Sequence, residues 1–307
     1  MINRKITLLG PEGTNITLLI IFLLLNFISW MTLFTLSDGL NLDLQNSLFR
    51  QMVFTLLAVI VFFVITFISM EQINKYTFPF FGMITIFLIF IFFTDPKEGV
   101  RRWYDLGIID FQPSEYIKIA IVLFISKCFV EKYNIFYVGM LSVLSIALVF
   151  FQQDLGTTSL LIVITLCMFF VSKIKTRSIL FLILLGGIFF FTFLEFGLIN
   201  SYQLSRITDF FNTVDFAQSQ SRLAISSGGI TGQFFEADKI NQIFIPVQST
   251  DFIFSAYAYQ FGFIGVLLLS SLWLFFFYRV ARIILSTESD FEKFILAGFS
   301  ASLIFQI

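Results

Sequence analysis

The chain is divided into apolar runs about as long as a bilayer is thick, and that recurrence limits its fold more than any other feature. An α-helix rises about 1.5 Å per residue, so about 20 apolar residues cross a hydrocarbon core of about 30 Å. Such runs occupy residues 16–36, 52–69, 76–94, 114–130, 135–151, 155–171, 179–198 and 252–278, and 294–307 begins a ninth. In lipid, backbone polar groups must bond within their own segment or in a closed barrel, and uninterrupted runs suit helices. The sequence therefore predicts an all-α polytopic membrane protein with about nine spans. A hydrophobic share of 58%, a charged share of 13% and a mean hydropathy of +0.92 set it apart from soluble globular chains. Residues 1–15 are polar, and no small-residue cleavage site follows the first run, so that run is expected to stay as an anchor.

The chemistry open to such a chain is narrowed by what it lacks. It contains no histidine, which removes imidazole acid–base catalysis and leaves Asp, Glu, Lys and Arg. Its two cysteines, Cys128 and Cys167, lie in apolar runs and predict neither a disulfide framework nor a metal cluster. With the N-terminus in the cytoplasm, Arg4, Lys5, Lys75, Lys127, Lys132, Lys173, Lys175, Arg177, Arg279, Arg282 and Lys293 all fall inside, the asymmetry that orients membrane proteins. That orientation puts two substantial loops outside, residues 95–112 and 200–251. The second, between spans seven and eight, is long enough to be either a folded lid lying on the membrane or a solvated linker.

Polar residues collect at the outer ends of the spans. Asp251 stands where the second loop meets the apolar run from Phe252, at the boundary of water and hydrocarbon. A carboxylate is costly there unless it caps the helix or does chemistry. Arg101, Arg102 and Trp103 suit an anionic headgroup, guanidinium on phosphate and indole at headgroup depth, or simple interfacial anchoring. Glu115 and Lys118, three residues apart, share a helical face, and Glu115 is the nearest partner for a lysine that lies inside a span. Asp154 opens the sixth span, either as a cap or as a substrate contact. Arg206, Arg222 and Lys239 scatter positive charge along the larger loop, where they could hold a pyrophosphate or solvate the loop.

Taken together, Gly-Val-Arg-Arg-Trp103, Gln112-Pro-Ser-Glu-x-x-Lys118, Gln152-x-Asp-Leu-Gly-Thr, Arg206-Ile, Gln220-Ser-x-x-Ala-Ile-x-Ser-Gly-Gly229 and Thr250-Asp-Phe-Ile-Phe254 follow one family's order and spacing. The chain resembles the RodA/FtsW/SpoVE family, the SEDS proteins of shape, elongation, division and sporulation. The Ser-Gly-Gly-Ile-x-Gly and Phe-Ile-Pro stretches lean toward RodA. The resemblance implies ten spans in a single transmembrane domain, here incomplete at the C-terminus because the chain ends inside its ninth run at Ile307, with residues 200–251 as an extracytoplasmic lid. It implies a peptidoglycan glycosyltransferase of the bacterial cytoplasmic membrane that polymerises lipid II beside a class B penicillin-binding protein, with no nucleic-acid partner. The family's activity depends on the aspartate that falls on Asp251, and its functional tryptophan and glutamate fall on Trp103 and Glu115.

Lipid II polymerisation with inversion needs a base on one face of the sugar and charge stabilisation for the departing pyrophosphate on the other. Asp251 is the candidate base, strengthened if the lid partly desolvates it. Arg101, Arg102, Lys118 and Arg206 are candidates for the pyrophosphate, with Trp103, Glu115, Asp154 and Gln220 completing the substrate-binding set. No residue pattern assigns a metal ligand and no cofactor is certain, although oxygen ligands would suit a magnesium or manganese ion. Departures from the family pattern are Ser249 for its histidine, Val247 for a glutamate, Tyr259-Gln-Phe-Gly262 for Glu-Glu-Leu-Gly, and Gln153 for a proline. A lipid II flippase, or a scaffold of the wall-building complex that has lost catalysis, are the competing readings.

Overall fold

The computed structural model describes residues 14–36, 46–97, 99–105, 107, 110–172, 216–234 and 246–307, with isolated helical residues between 177 and 188. The α-helices among the described residues are α1 (Thr14–Leu36), α2 (Ser47–Thr66), α3 (Met70–Phe90), α4 (Pro113–Val130), α5 (Ile135–Phe151), α6 (Leu155–Val171), α7 (Phe216–Ser227), α8 (Ile253–Ser286) and α9 (Asp290–Gln306). They are not the nine apolar runs one for one. The run at 179–198 falls largely outside the described residues, and α7 is a short polar helix. Among the described residues four helices are both long and apolar enough to cross a membrane, Ile16–Leu36, Ser47–Thr66, Met70–Phe93 and Ile253–Ser286, while α5 and α6 are apolar helices of 17 residues each.

Hydropathy locates these helices, and capping sets their ends. α2 starts five residues before its apolar run because Asn46 Oδ1 accepts from the backbone N–H of Leu48 and Phe49. α3 starts at Met70 through a capping box between Ser69 and Gln72, and α9 at Asp290 through Ser289. Each cap satisfies amides that the first helical turn leaves unpaired, so a polar first turn can be helical without registering as hydrophobic. The largest revision concerns the eighth run. α8 is not one continuous rod: Gly262, at φ +63°, breaks it.

The chain forms two compact units. One holds α1, α2, α7 and α8 as far as Ala281; the other holds α3 to α6, the 94–112 connection and α9. In the second unit α4 is the central helix, with Ile117, Ile121 and Ile125 wholly buried against Leu88 of α3 and Leu161, Ile164 and Met168 of α6. A helix apolar on every side is a buried helix, which fits α4. α9 comes close through Gly298, where an added Cβ would lie 2.7 Å from Val122 Cγ1 and 3.0 Å from Met168 Sδ. Small residues permit such approach where lipid removes any hydrophobic drive between helices. In the first unit α1 and α2 are tied by Thr55 Oγ1 donating to Asn26 Oδ1 at 2.8 Å. α2 otherwise buries only Leu48 and Thr55, leaving an apolar surface suited to acyl chains.

Candidate functional site

The second unit gathers polar groups at one end, where α3 and α5 finish and α4 and α6 begin. The connection from α3 to α4 is pinned by a two-residue hairpin, β1 (Tyr104–Asp105) against β2 (Asp110–Phe111), and by Lys97 paired with Asp110 at 2.6 Å. Tyr104 donates to the Phe87 carbonyl at 2.7 Å, and burial pushes its phenol above the ordinary value.

The paired arginines divide their roles. Arg102 Nε donates to the Gln152 carbonyl at 3.1 Å and one terminal nitrogen donates to the Gln153 carbonyl. These carbonyls close the C-terminus of α5, where the chain turns through Gln153 at φ +64°. A cation that binds them satisfies unpaired acceptors at the negative end of the helix. Arg102 is thus spent largely on backbone. Among the described residues Arg101 bonds only through Nε, to the Thr94 carbonyl at 2.9 Å. Its exposed guanidinium borders a cavity of about 210 Å³ lined also by Phe92, Val100, Phe151, Gln152 and Gln153.

Trp103, half-buried, donates its indole N–H to Gln112 Oε1 at 3.0 Å. Gln112 Nε2 in turn donates to Ser114 Oγ at 2.9 Å and Asp154 Oδ2 at 3.3 Å. Asp154 caps α6, accepting from Thr157 N at 3.1 Å and Thr157 Oγ1 at 2.9 Å. The capping reading of Asp154 is therefore met, and its second oxygen also ties α6 to the Trp103 loop. Lys118 pairs with Glu115 at 2.6 Å, as their spacing predicts; the lysine is mostly buried and the glutamate exposed.

The first unit holds Asp251 and Gln220. Asp251 lies in the turn that precedes α8, exposed, and no described residue hydrogen-bonds or pairs with its carboxylate. The desolvation expected of a lid is not found among the described residues: the described residues 216–234 pack further along α8. α7 packs Ala224 against Ala256 and Tyr259, and Ser221 Oγ meets Ser255 Oγ at 2.6 Å. The Ser-Gly-Gly-Ile-x-Gly turn then pairs backbone to backbone with the break in α8. Gln233 N donates to Tyr259 O and Phe234 N to Gln260 O, while Phe263 N donates to Gly229 O and Ile264 N to Ile230 O. A Cβ on Gly228, Gly232 or Gly262 would overlap the opposing backbone, which is the physical reason for the glycines. Gln220 is half-buried on α7. Arg206 and Lys239 lie outside the described residues.

Sequence reasoning missed Gly262, although an isolated glycine inside an apolar run is a signal of a break. It also passed over Gln112 and Ser114, whose part depends on partners 40 or more positions away. Among the described residues no group of three His, Cys, Asp or Glu side chains is placed to hold a metal ion.

A profile of the cell cycle protein family FtsW/RodA/SpoVE matches residues 15–307. The chain belongs to this family. Within it, the chain is 28% identical over 304 residues to the probable peptidoglycan glycosyltransferase FtsW of Haemophilus ducreyi, covering 92% of this chain and 76% of that protein. The FtsW/RodA/SpoVE fold is shared with two solved structures. One, from a peptidoglycan synthase complex that coordinates polymerization and crosslinking, superposes with a TM-score of 0.72 at 22% identity, over 94% of this chain and 83% of that one. The other, the rod shape determining protein RodA of Thermus thermophilus, gives 0.68 at 20%, over 94% and 81%. These resemblances cover both units and agree with the motifs that carried the family reading.

Proposed function

We propose that this FtsW/RodA/SpoVE chain is a peptidoglycan glycosyltransferase that polymerises lipid II, with Asp251 as general base. The observation that carries the role of Asp251 is its position. It is exposed, unengaged by described residues, and next to a helix segment clamped by α7 and the glycine turn. A capping aspartate would spend its oxygens on the helix, as Asp154 does; Asp251 keeps them. The base takes the proton from the attacking sugar hydroxyl as the anomeric carbon loses undecaprenyl pyrophosphate. Arg101 and Lys118 supply charge for the leaving pyrophosphate, and Trp103, Glu115 and Gln220 contact substrate. Arg102 and Asp154 hold the loops that carry them, and Arg206 remains a candidate on the family resemblance. The protein spans the bacterial cytoplasmic membrane about nine times with its N-terminus inside, residues 200–251 forming an outer lid. It works beside a class B penicillin-binding protein in elongation or division.

Asp251→Asn removes the base and keeps the shape. The purified variant is expected in the membrane fraction at normal yield with polymer formation from lipid II reduced at least about a hundredfold, the scale of one general base. Polymerisation near the wild-type rate would remove Asp251 from the mechanism. One observation favours a second reading, transport: α8 is interrupted at Gly262, and transporters build midplane sites from broken helices. Here backbone from residues 229–234 fills the break. Labelled lipid II crossing vesicles that contain Asp251→Asn, without glycan synthesis by the wild type, would support the transport reading.

A further inference from the structure

Gln112 occupies the N-cap of α4, yet its side chain makes no capping bond there. Glutamine is not among the residues that favour this position; Ser, Thr, Asp or Asn would satisfy the first amides of the helix. A local rule set aside in this way calls for a compensating role, and the amide's partners supply one. Oε1 accepts from the Trp103 indole at 3.0 Å, and Nε2 donates to Ser114 Oγ and to Asp154 Oδ2. Both ends of the amide are fixed by chemistry, because an indole N–H can only donate and a carboxylate only accepts. Asp154 is itself immobilised by Thr157 at the start of α6. The α6 cap therefore sets the amide, and the amide sets the indole.

We infer that Gln112 is a positioning residue that turns the Trp103 N–H inward, so that Trp103 meets the substrate with the face of its ring. The inference rests on the proposal that Trp103 contacts lipid II. With the indole donor consumed, what remains for recognition is an apolar, polarisable surface suited to the C–H face of a pyranose. Arg102, 5.9 Å from the ring and held by the α5 carbonyls, buttresses the indole.

The test uses a chain in which Trp30→Phe and Trp273→Phe leave Trp103 as the one tryptophan of three. Gln112→Leu removes the acceptor at similar size. It is expected to shift Trp103 emission and raise its quenching by water-soluble quenchers. KM for lipid II should rise about five- to tenfold, the affinity equivalent of one lost hydrogen bond, with kcat nearly unchanged. In a Trp103→Phe chain the same substitution should change KM less than about twofold, since coupled residues are non-additive. Gln112→Glu alone sets a carboxylate against Asp154 and should be impaired; Asp154→Asn in the same chain reverses donor and acceptor and should restore both emission and KM.

Additive effects of Gln112→Leu and Trp103→Phe, unchanged emission, or no rescue by the reversed pair would each overturn the inference. The fluorescence arm needs no catalysis, so it separates this outcome from failure of the glycosyltransferase reading. A shifted emission together with no glycan synthesis by the parent chain would count against that reading and not against the Gln112–Trp103 coupling.

Discussion

Arg101 and Arg102 are neighbours in the chain and are set to different tasks by what surrounds them. The planar fork of Arg102 spans the two carbonyls of Gln152 and Gln153, which a lysine ammonium cannot reproduce. Arg102→Lys should lower stability by about 1.5–3 kcal/mol, the range for hydrogen bonds to a charged group, read as a lower melting temperature in detergent. Arg101→Ala should leave melting unchanged and weaken lipid II binding, read as a higher KM. The sequence made the pair legible as interfacial guanidinium beside an indole. It could not divide the pair, because the deciding carbonyls lie some 50 positions away and become neighbours only when α3 and α5 end together. Asp154 is similar: its capping role is local and was legible, whereas its tie to Gln112 is not.

Among the elements, the docking of the glycine turn onto the break in α8 has the clearest consequence. Gly232 and Gly262 both have positive φ and both face backbone at a distance that admits no Cβ. Gly232→Ala or Gly262→Ala should each cost about 1–3 kcal/mol in strain and displaced backbone. Hydrogen exchange at residues 216–234 should quicken, and activity should fall even though Asp251 is unchanged. Gly82, inside α3 with open space around it, is the control; Gly82→Ala should be neutral or stabilising by up to about 1 kcal/mol. Unchanged exchange in the first two variants would show that the turn does not anchor this end of α8. Hydropathy could not reveal the break, since it sums side chains while the interruption is a backbone event.

For the whole molecule, orientation is the quantity to measure. In a chain carrying Cys128→Ala and Cys167→Ala, Lys97→Cys should react with a membrane-impermeant maleimide in intact cells, and Lys75→Cys should react only after permeabilisation. The reverse pattern would invert the topology and place Asp251 on the wrong side for wall synthesis. The sequence by itself determined that the chain is helical and membrane-bound, where most helices lie, and which family it belongs to. Hydrophobic length and motif spacing are local or linear properties that survive without coordinates. Only the tertiary structure decided which polar groups are already engaged, where α8 breaks, and that Asp251 stands exposed. Each of those depends on backbone and side chains brought together from distant parts of the chain, and partners of that kind leave no periodicity to read.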